Sequence, residues 1–262
     1  RPLAVTAATG ARPIGRATLR VELDDPIVTI TFNRPERLNA LSDTLLRELG
    51  EVFDELAGID HRVVVIKGAG RAFSAGYDVG SGSDEIGYAH ERTAVEDRDR
   101  QLANIDLFMK FWRHPVPVIA QVHGYCMAGA TQLCVFTDLT FVADDAVIAA
   151  SPSLPIGGGF ISPLWSTLVG PKRAKLMSFD AGHRIDGPTA AAWGWATESV
   201  PADRLDARVR EIAASIARTP ASILKLKKEG VNRAAELQGL VTIARMGSET
   251  DALLHLTPEI QA

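Results

Sequence analysis

The 262-residue sequence predicts an α/β fold in which strands alternate with helices and a helical segment completes the chain. Three observations carry that expectation. Apolar residues make up 46% of the chain, an ordinary globular share that can build a sizeable core. Short β-branched runs at 27–32, 62–66 and 118–122 are separated by stretches with helical spacing. Beyond residue 160 the pattern reads as helix throughout.

Residues 1–16 contain no acid and no apolar run long enough for a signal-peptide core; they read as a mobile tail, with a transit-like segment as the other reading. Residues 18–22 and 27–32 are β-rich, and Asp24-Asp25-Pro26 between them is a hairpin turn. Ser42 opens a helix whose Leu45, Leu49, Val52, Phe53 and Leu56 share one face. The run 62–66 suits a strand buried on both faces, ended by Gly68-Ala69-Gly70. The charge-rich stretch 81–100 reads as a loop or a loosely held helix. A helix through Leu102, Ile105, Phe108 and Trp112 follows and stops at Pro115 and Pro117. Next come a strand at 118–122, a helix at 128–136 and short strands at 139–142 and 146–150. After Gly157-Gly158-Gly159, helices are expected at 163–168, 173–177, 188–193, 202–217, 221–235 and 237–254.

Charge and cysteine usage exclude several functions. The 28 Lys and Arg face 32 Asp and Glu, for a net charge of −4, with none of the basic excess that a nucleic-acid partner needs. Apolar runs fall short of the roughly 18 residues of a membrane span, so no membrane association is expected. Cys126 and Cys134 have no second pair to complete a disulfide framework or a metal site, which fits a reducing, cytoplasmic setting without a metal.

Three segments carry the chemistry. Asn33-Arg34-Pro35-Glu36-Arg37-Leu38-Asn39-Ala40-Leu41, Arg71-Ala72-Phe73-Ser74-Ala75-Gly76-Tyr77-Asp78 and His123-Gly124-Tyr125-Cys126-Met127-Ala128-Gly129-Ala130 each follow a strand. In this order and at these separations they resemble the crotonase (enoyl-CoA hydratase/isomerase) superfamily, and the resemblance runs from about Ala17 to Leu254. It implies one crotonase-like domain over 17–262: a ββα spiral core at 17–200 and a helical C-terminal region at 201–262 that assembles a homotrimer or a dimer of trimers. It also implies an acyl-CoA substrate, with coenzyme A as part of that substrate and no separate cofactor. Reaction beside a thioester carbonyl makes an enolate, whose oxygen needs preorganised donors. By resemblance these are the backbone N–H groups of Tyr77 and Gly129, with Ala72, Ser74, Ala75, Gly76 and Ala128 allowing close approach. Arg37 and Leu38 fall in the loop that holds the nucleotide end of coenzyme A, although Arg37 also suits a solvated surface charge. Asp78 reads as structural, capping a following helix.

The sequence then departs from the family pattern. A hydratase uses two glutamates, one to activate water and one to deliver a proton. The first position holds Gln132; the second, within a residue or two, is Ser153 after Pro152. Neither side chain can act as the missing carboxylate. Hydration of a 2-enoyl-CoA is therefore the default reaction without its usual acid and base. An isomerase or hydrolase reaction using another group, or silent acyl-CoA binding, are the alternatives. Asp84, Glu85, His90, Glu91 and Asp97 could supply another acid or base, since by resemblance their region covers the acyl group, but each is read first as a solvated loop charge. Asp138 reads as structural and Asp144-Asp145 as an exposed turn. A hydrolase elbow at Ser74, with His114, His123, His183 or His255 as base, is the rival from another class; Ser74 lies too far beyond its strand for that geometry.

Overall fold

The computed structural model describes residues 14–78, 93–151 and 161–261. Two β-sheets organise it. The larger has seven strands in the order β1-β2-β3-β4-β6-β8-β10: β1 (Ile14–Gly15), β2 (Leu19–Asp24), β3 (Ile27–Phe32), β4 (Val63–Gly68), β6 (Val118–Val122), β8 (Leu139–Ala143) and β10 (Glu198–Val200). β1, β2 and β3 pair antiparallel, and β3 through β10 pair parallel. The smaller sheet, β5 (Ala72–Ser74), β7 (Tyr125–Met127) and β9 (Val147–Ala149), is parallel.

The larger sheet follows from its sequence. All five residues of β6 and the first four of β4 are buried, as in parallel strands covered on both faces. Asp24 pairs with Ile27 across the predicted hairpin turn. Helix α1 (Asp43–Leu56) starts at Ser42, whose Oγ accepts the Leu45 N–H at 3.3 Å, and buries Leu45, Leu49, Val52, Phe53 and Leu56 as their spacing requires. Helix α3 (Gly129–Val135) follows β7 directly.

Several elements differ from expectation. Of the smaller sheet only β9 was expected, as the short strand at 146–150; β5 and β7 were not, because each has three residues and lies inside a motif with no alternation to read. β10 interrupts the region expected to be wholly helical; it is held by backbone pairing to β8, which leaves no side-chain pattern. The expected 202–217 helix is a 3₁₀ turn (Ala202–Arg204) followed by α7 (Leu205–Ala217). Of the charged stretch only residues 93–100 are described, and they open α2 (Ala94–Arg113) with a capping box in which Thr93 and Glu96 bond each other's backbone N–H.

The remaining helices are α4 (Ile161–Val169), α5 (Pro171–Phe179), α6 (Gly187–Trp193), α8 (Ala221–Leu237), α9 (Leu240–Leu254) and α10 (Pro258–Gln261). α9 packs on α2, α4 and α8. Trp165 of α4 stacks on Trp195 with ring centroids 5.5 Å apart, and its Nε1–H donates to Thr131 Oγ1 of α3 at 3.1 Å. Buried packing within the chain therefore accounts for Trp195. No helix among the described residues is long and apolar enough to cross a membrane.

Candidate functional site

The three sequence motifs follow β3, β4 and β6 and converge beyond the ends of those strands. Asn39 is fully buried and ties the first motif to the second: its Nδ2 donates to Ala69 O and Ala72 O, both at 2.8 Å, while its Oδ1 accepts the Arg34 N–H at 3.0 Å. Leu38 has φ 50°, and its carbonyl accepts the Ala75 N–H at 2.9 Å. The Leu41 N–H donates to Gly76 O and the Asp78 N–H to Leu41 O, which pins the turn on both sides of Tyr77.

The helix that Asp78 is expected to cap lies outside the described residues. The Asp78 carboxylate lies 2.8 Å from Arg34 Nη1 and 3.5 Å from Arg37 Nη2. Arg37 is thus partly engaged within the protein, at the end of a 3₁₀ turn (Pro35–Arg37), with its side chain half-exposed. Ser74 is buried; its Oγ accepts the Gly76 N–H at 3.1 Å, and no histidine bonds it among the described residues. His114, His123 and His183 contact His61, Gly70 O and Asp180, and His255 contacts Asp97. The hydrolase rival has no catalytic pair among the described residues.

The second and third motifs touch at Gly76 and Gly129. Gly76 has φ +90°, and a Cβ there would stand 2.7 Å from Met127 O and 3.2 Å from Gly129 N. Ala128, with φ 45° and ψ −118°, holds a sparsely populated conformation that brings the chain into α3. Tyr77 and Gly129, 52 residues apart in sequence, are thereby neighbours. Neither N–H has a hydrogen-bond acceptor among the described residues.

The Tyr77 side chain lies over Gly129. A Cβ on Gly129 would fall 2.6 to 3.0 Å from three ring carbons, and the phenol donates to Gln132 Oε1 at 2.8 Å. Burial pushes the phenol well above its ordinary pKa, so it holds its proton. Asn104 of α2 lies beside the hydroxyl without closing a bond to it; its Nδ2 is a buried donor with no acceptor among the described residues. Gln132 is 1% exposed, and no carboxylate bonds either Tyr77 or Gln132 among the described residues.

Asp97 corrects another expectation. It is no solvated loop charge but 2% exposed on α2, bonded to His255 Nδ1 at 2.6 Å and to Arg100 at 2.8 Å. Burial works against its charge, yet these partners draw its pKa down to about 2. Asp97, Gln101 and Asn104 form a buried polar stripe on α2, and Gln101 Nε2 donates to Asp251 of α9 at 3.0 Å. Sequence reading missed Asn104; the 97, 101, 104 spacing is the signal that places it on one helix face. Asp138 is structural, as expected, and pairs with Lys228 at 2.6 Å. Asp144 is partly buried, holding β10 through Ser199, while Asp145 is exposed. Ser153, Asp84, Glu85, His90, Glu91 and the triple glycine lie outside the described residues. There is no cluster of three metal-ligating side chains among the described residues.

The enoyl-CoA hydratase/isomerase family profile matches residues 22–253. The chain belongs to this family. It is 32% identical over 228 residues to the hydroxycinnamoyl-CoA hydratase-lyase of Pseudomonas fluorescens, covering 84% of this chain and 80% of that protein. A crystal structure from Novosphingobium aromaticivorans, ascribed to the same family, is 40% identical with a TM-score of 0.87, covering 93% of this chain and 87% of that one. An enoyl-CoA hydratase/isomerase structure from Xanthobacter autotrophicus is 31% identical, with a TM-score of 0.85 and coverage of 94% and 91%. The fold is the crotonase fold of this family.

Proposed function

We propose that the protein is an acyl-CoA enzyme that stabilises a thioester enolate through the backbone N–H groups of Tyr77 and Gly129. The observation that carries this reading is the meeting of the two turns at Gly76 and Gly129, with both N–H groups lacking an acceptor among the described residues. Preorganised donors of this kind contribute most when negative charge develops on the oxygen they face. Ala72, Ser74, Ala75, Gly76 and Ala128 shape the two turns, while Arg37 and Leu38 face the nucleotide end of the substrate. The substrate brings coenzyme A with it, and no separate cofactor or metal takes part.

General-base hydration through residue 132 is not supported, because an amide bonded to a protonated phenol has no proton affinity to offer a water. Ser153 supplies no carboxylate either. The reaction is one in which the base comes from elsewhere or is not required; catalytically silent acyl-CoA binding is the second reading, favoured by the same amide. Purified protein supplied with short, long, branched and aromatic enoyl-CoAs is expected to turn over at least one, followed by loss of the conjugated thioester absorbance. Binding of CoA esters without turnover of any would select the silent reading.

A homotrimer, or a dimer of trimers, fits the apolar side chains left uncovered on α8 and α9, among them Leu237 at 90% exposure and Val231 at 70%. Light scattering on the eluted protein tests that assembly.

A further inference from the structure

Beside Tyr77, side-chain donors meet no acceptor among the described residues. The Gln132 carbonyl oxygen is taken by the Tyr77 hydroxyl, which fixes the amide so that its NH₂ is the group left to offer. That NH₂ donates to nothing among the described residues although the side chain is almost wholly buried. Asn104 Nδ2, close to the same phenol, is a fully buried donor with no acceptor among the described residues. A buried donor without a partner costs free energy, and a ligand that supplies an acceptor removes that cost.

Position along the substrate follows from helix geometry. Gln132 is three residues after Gly129 in α3, so it lies on the same helix face about 4.5 Å farther along the axis. With a thioester oxygen on the Gly129 N–H, the beta carbon, two bonds beyond the carbonyl carbon, falls within a span comparable to the Gly129–Gln132 separation. We infer that this site selects an acyl group carrying an acceptor-only oxygen, a ketone or a carboxylate, on the carbon beta to the thioester, held by the Gln132 NH₂. A hydroxyl at that carbon fits less well, because neither amide NH₂ can accept its proton. The inference rests on the assignment of the Tyr77 and Gly129 N–H groups to the thioester oxygen, and it adds a substrate class to that assignment.

Calorimetric titration of the purified chain with acetoacetyl-CoA, malonyl-CoA, 3-hydroxybutyryl-CoA and butyryl-CoA tests it. Acetoacetyl-CoA and malonyl-CoA are expected to bind about tenfold more tightly than butyryl-CoA, with 3-hydroxybutyryl-CoA between them. Gln132→Leu should bring acetoacetyl-CoA to within about twofold of butyryl-CoA. Tyr77→Phe keeps the ring over Gly129 but frees the amide to turn, and should lower the ratio to about threefold. Equal affinity of the parent protein for acetoacetyl-CoA and butyryl-CoA overturns the inference while leaving the CoA-ester reading intact. So does an unchanged ratio in a folded Gln132→Leu protein. Absence of binding by every ester overturns the CoA-ester reading, and this inference with it. Should either variant fail to fold, the ratio in the parent protein decides.

Discussion

Two buried polar regions of the molecule obey opposite rules. Between α2, α8 and β6, Lys228 Nζ contacts three acceptors: Asp138 Oδ2 at 2.6 Å, Phe111 O at 2.8 Å and Val116 O at 3.3 Å. Asp138 also accepts the Val118 N–H at 2.7 Å. Nearby, His61 and His114 share a 2.7 Å contact, and His61 Nδ1 meets Ile59 O. Each of these groups finds its partner inside the chain. Around Tyr77, by contrast, two backbone N–H groups and two side-chain NH₂ groups have none among the described residues. In these two regions, the one that serves the fold closes its bonds internally, whereas the one proposed to receive a ligand leaves donors unmatched.

Breaking the closed region should cost the most stability. Lys228→Met leaves Asp138 buried beside apolar atoms and is expected to destabilise the protein by about 3–5 kcal/mol, read from denaturant unfolding. Burial already draws both partners toward neutrality, raising Asp138 and lowering Lys228, so neither charge tolerates the loss of the other.

Acid should weaken the same region. Burial, with His61 and Lys228 close by, depresses the His114 pKa from its ordinary value near 6.5 to about 3. A folded-state pKa below the unfolded one means the unfolded chain binds the extra proton. Stability is therefore full above pH 6.5 and declines as pH falls from there toward 3. The raised His255 contributes in the opposite sense: burial opposes its charge, but Asp97 outweighs it, so its stabilisation is present in acid and fades as pH rises past its folded value. Thermal melts across pH, with His114→Gln flattening the acid limb, check the first sign.

Opening the ligand region further should act on activity more than on stability. Gly129→Pro removes one donor and should lower turnover by about 10²–10³-fold. Its control is Gly129→Ala, which keeps the N–H but sets a Cβ 2.6 Å from the Tyr77 ring; the difference in rate between the two isolates the N–H. The smallest change expected is a gain. Gln132→Glu supplies a carboxylate where the amide now sits and should raise crotonyl-CoA hydration roughly tenfold or more, since a placed general base contributes upward of that. An unmoved rate would place the acid–base chemistry elsewhere in the molecule.

How much of this was legible in the sequence differs between the same two regions. Strands β3, β4 and β6 and helix α1 stood out because burial on both faces, or on one helical stripe, writes itself into residue order. The turn glycines were legible through resemblance to a family. The start of α2 was not, because Asp97, Gln101 and Asn104 look solvent-facing until α9 covers them. Thr93 and Glu96 already formed a capping-box pattern that could have marked the start. The Tyr77–Gln132 bond joins residues 55 apart, and no local pattern encodes such a meeting.

The stacked indoles of Trp165 and Trp195 give the molecule an optical handle. Two like chromophores 5.5 Å apart and 26° from parallel couple their transitions, so they contribute a paired circular-dichroism band rather than two independent ones. Because Trp165 also donates to Thr131, two residues beyond Gly129, that band is tied to the helix that begins at the proposed donor. A CoA ester that shifts α3 on binding should alter the band, allowing occupancy to be followed in unlabelled protein without any turnover.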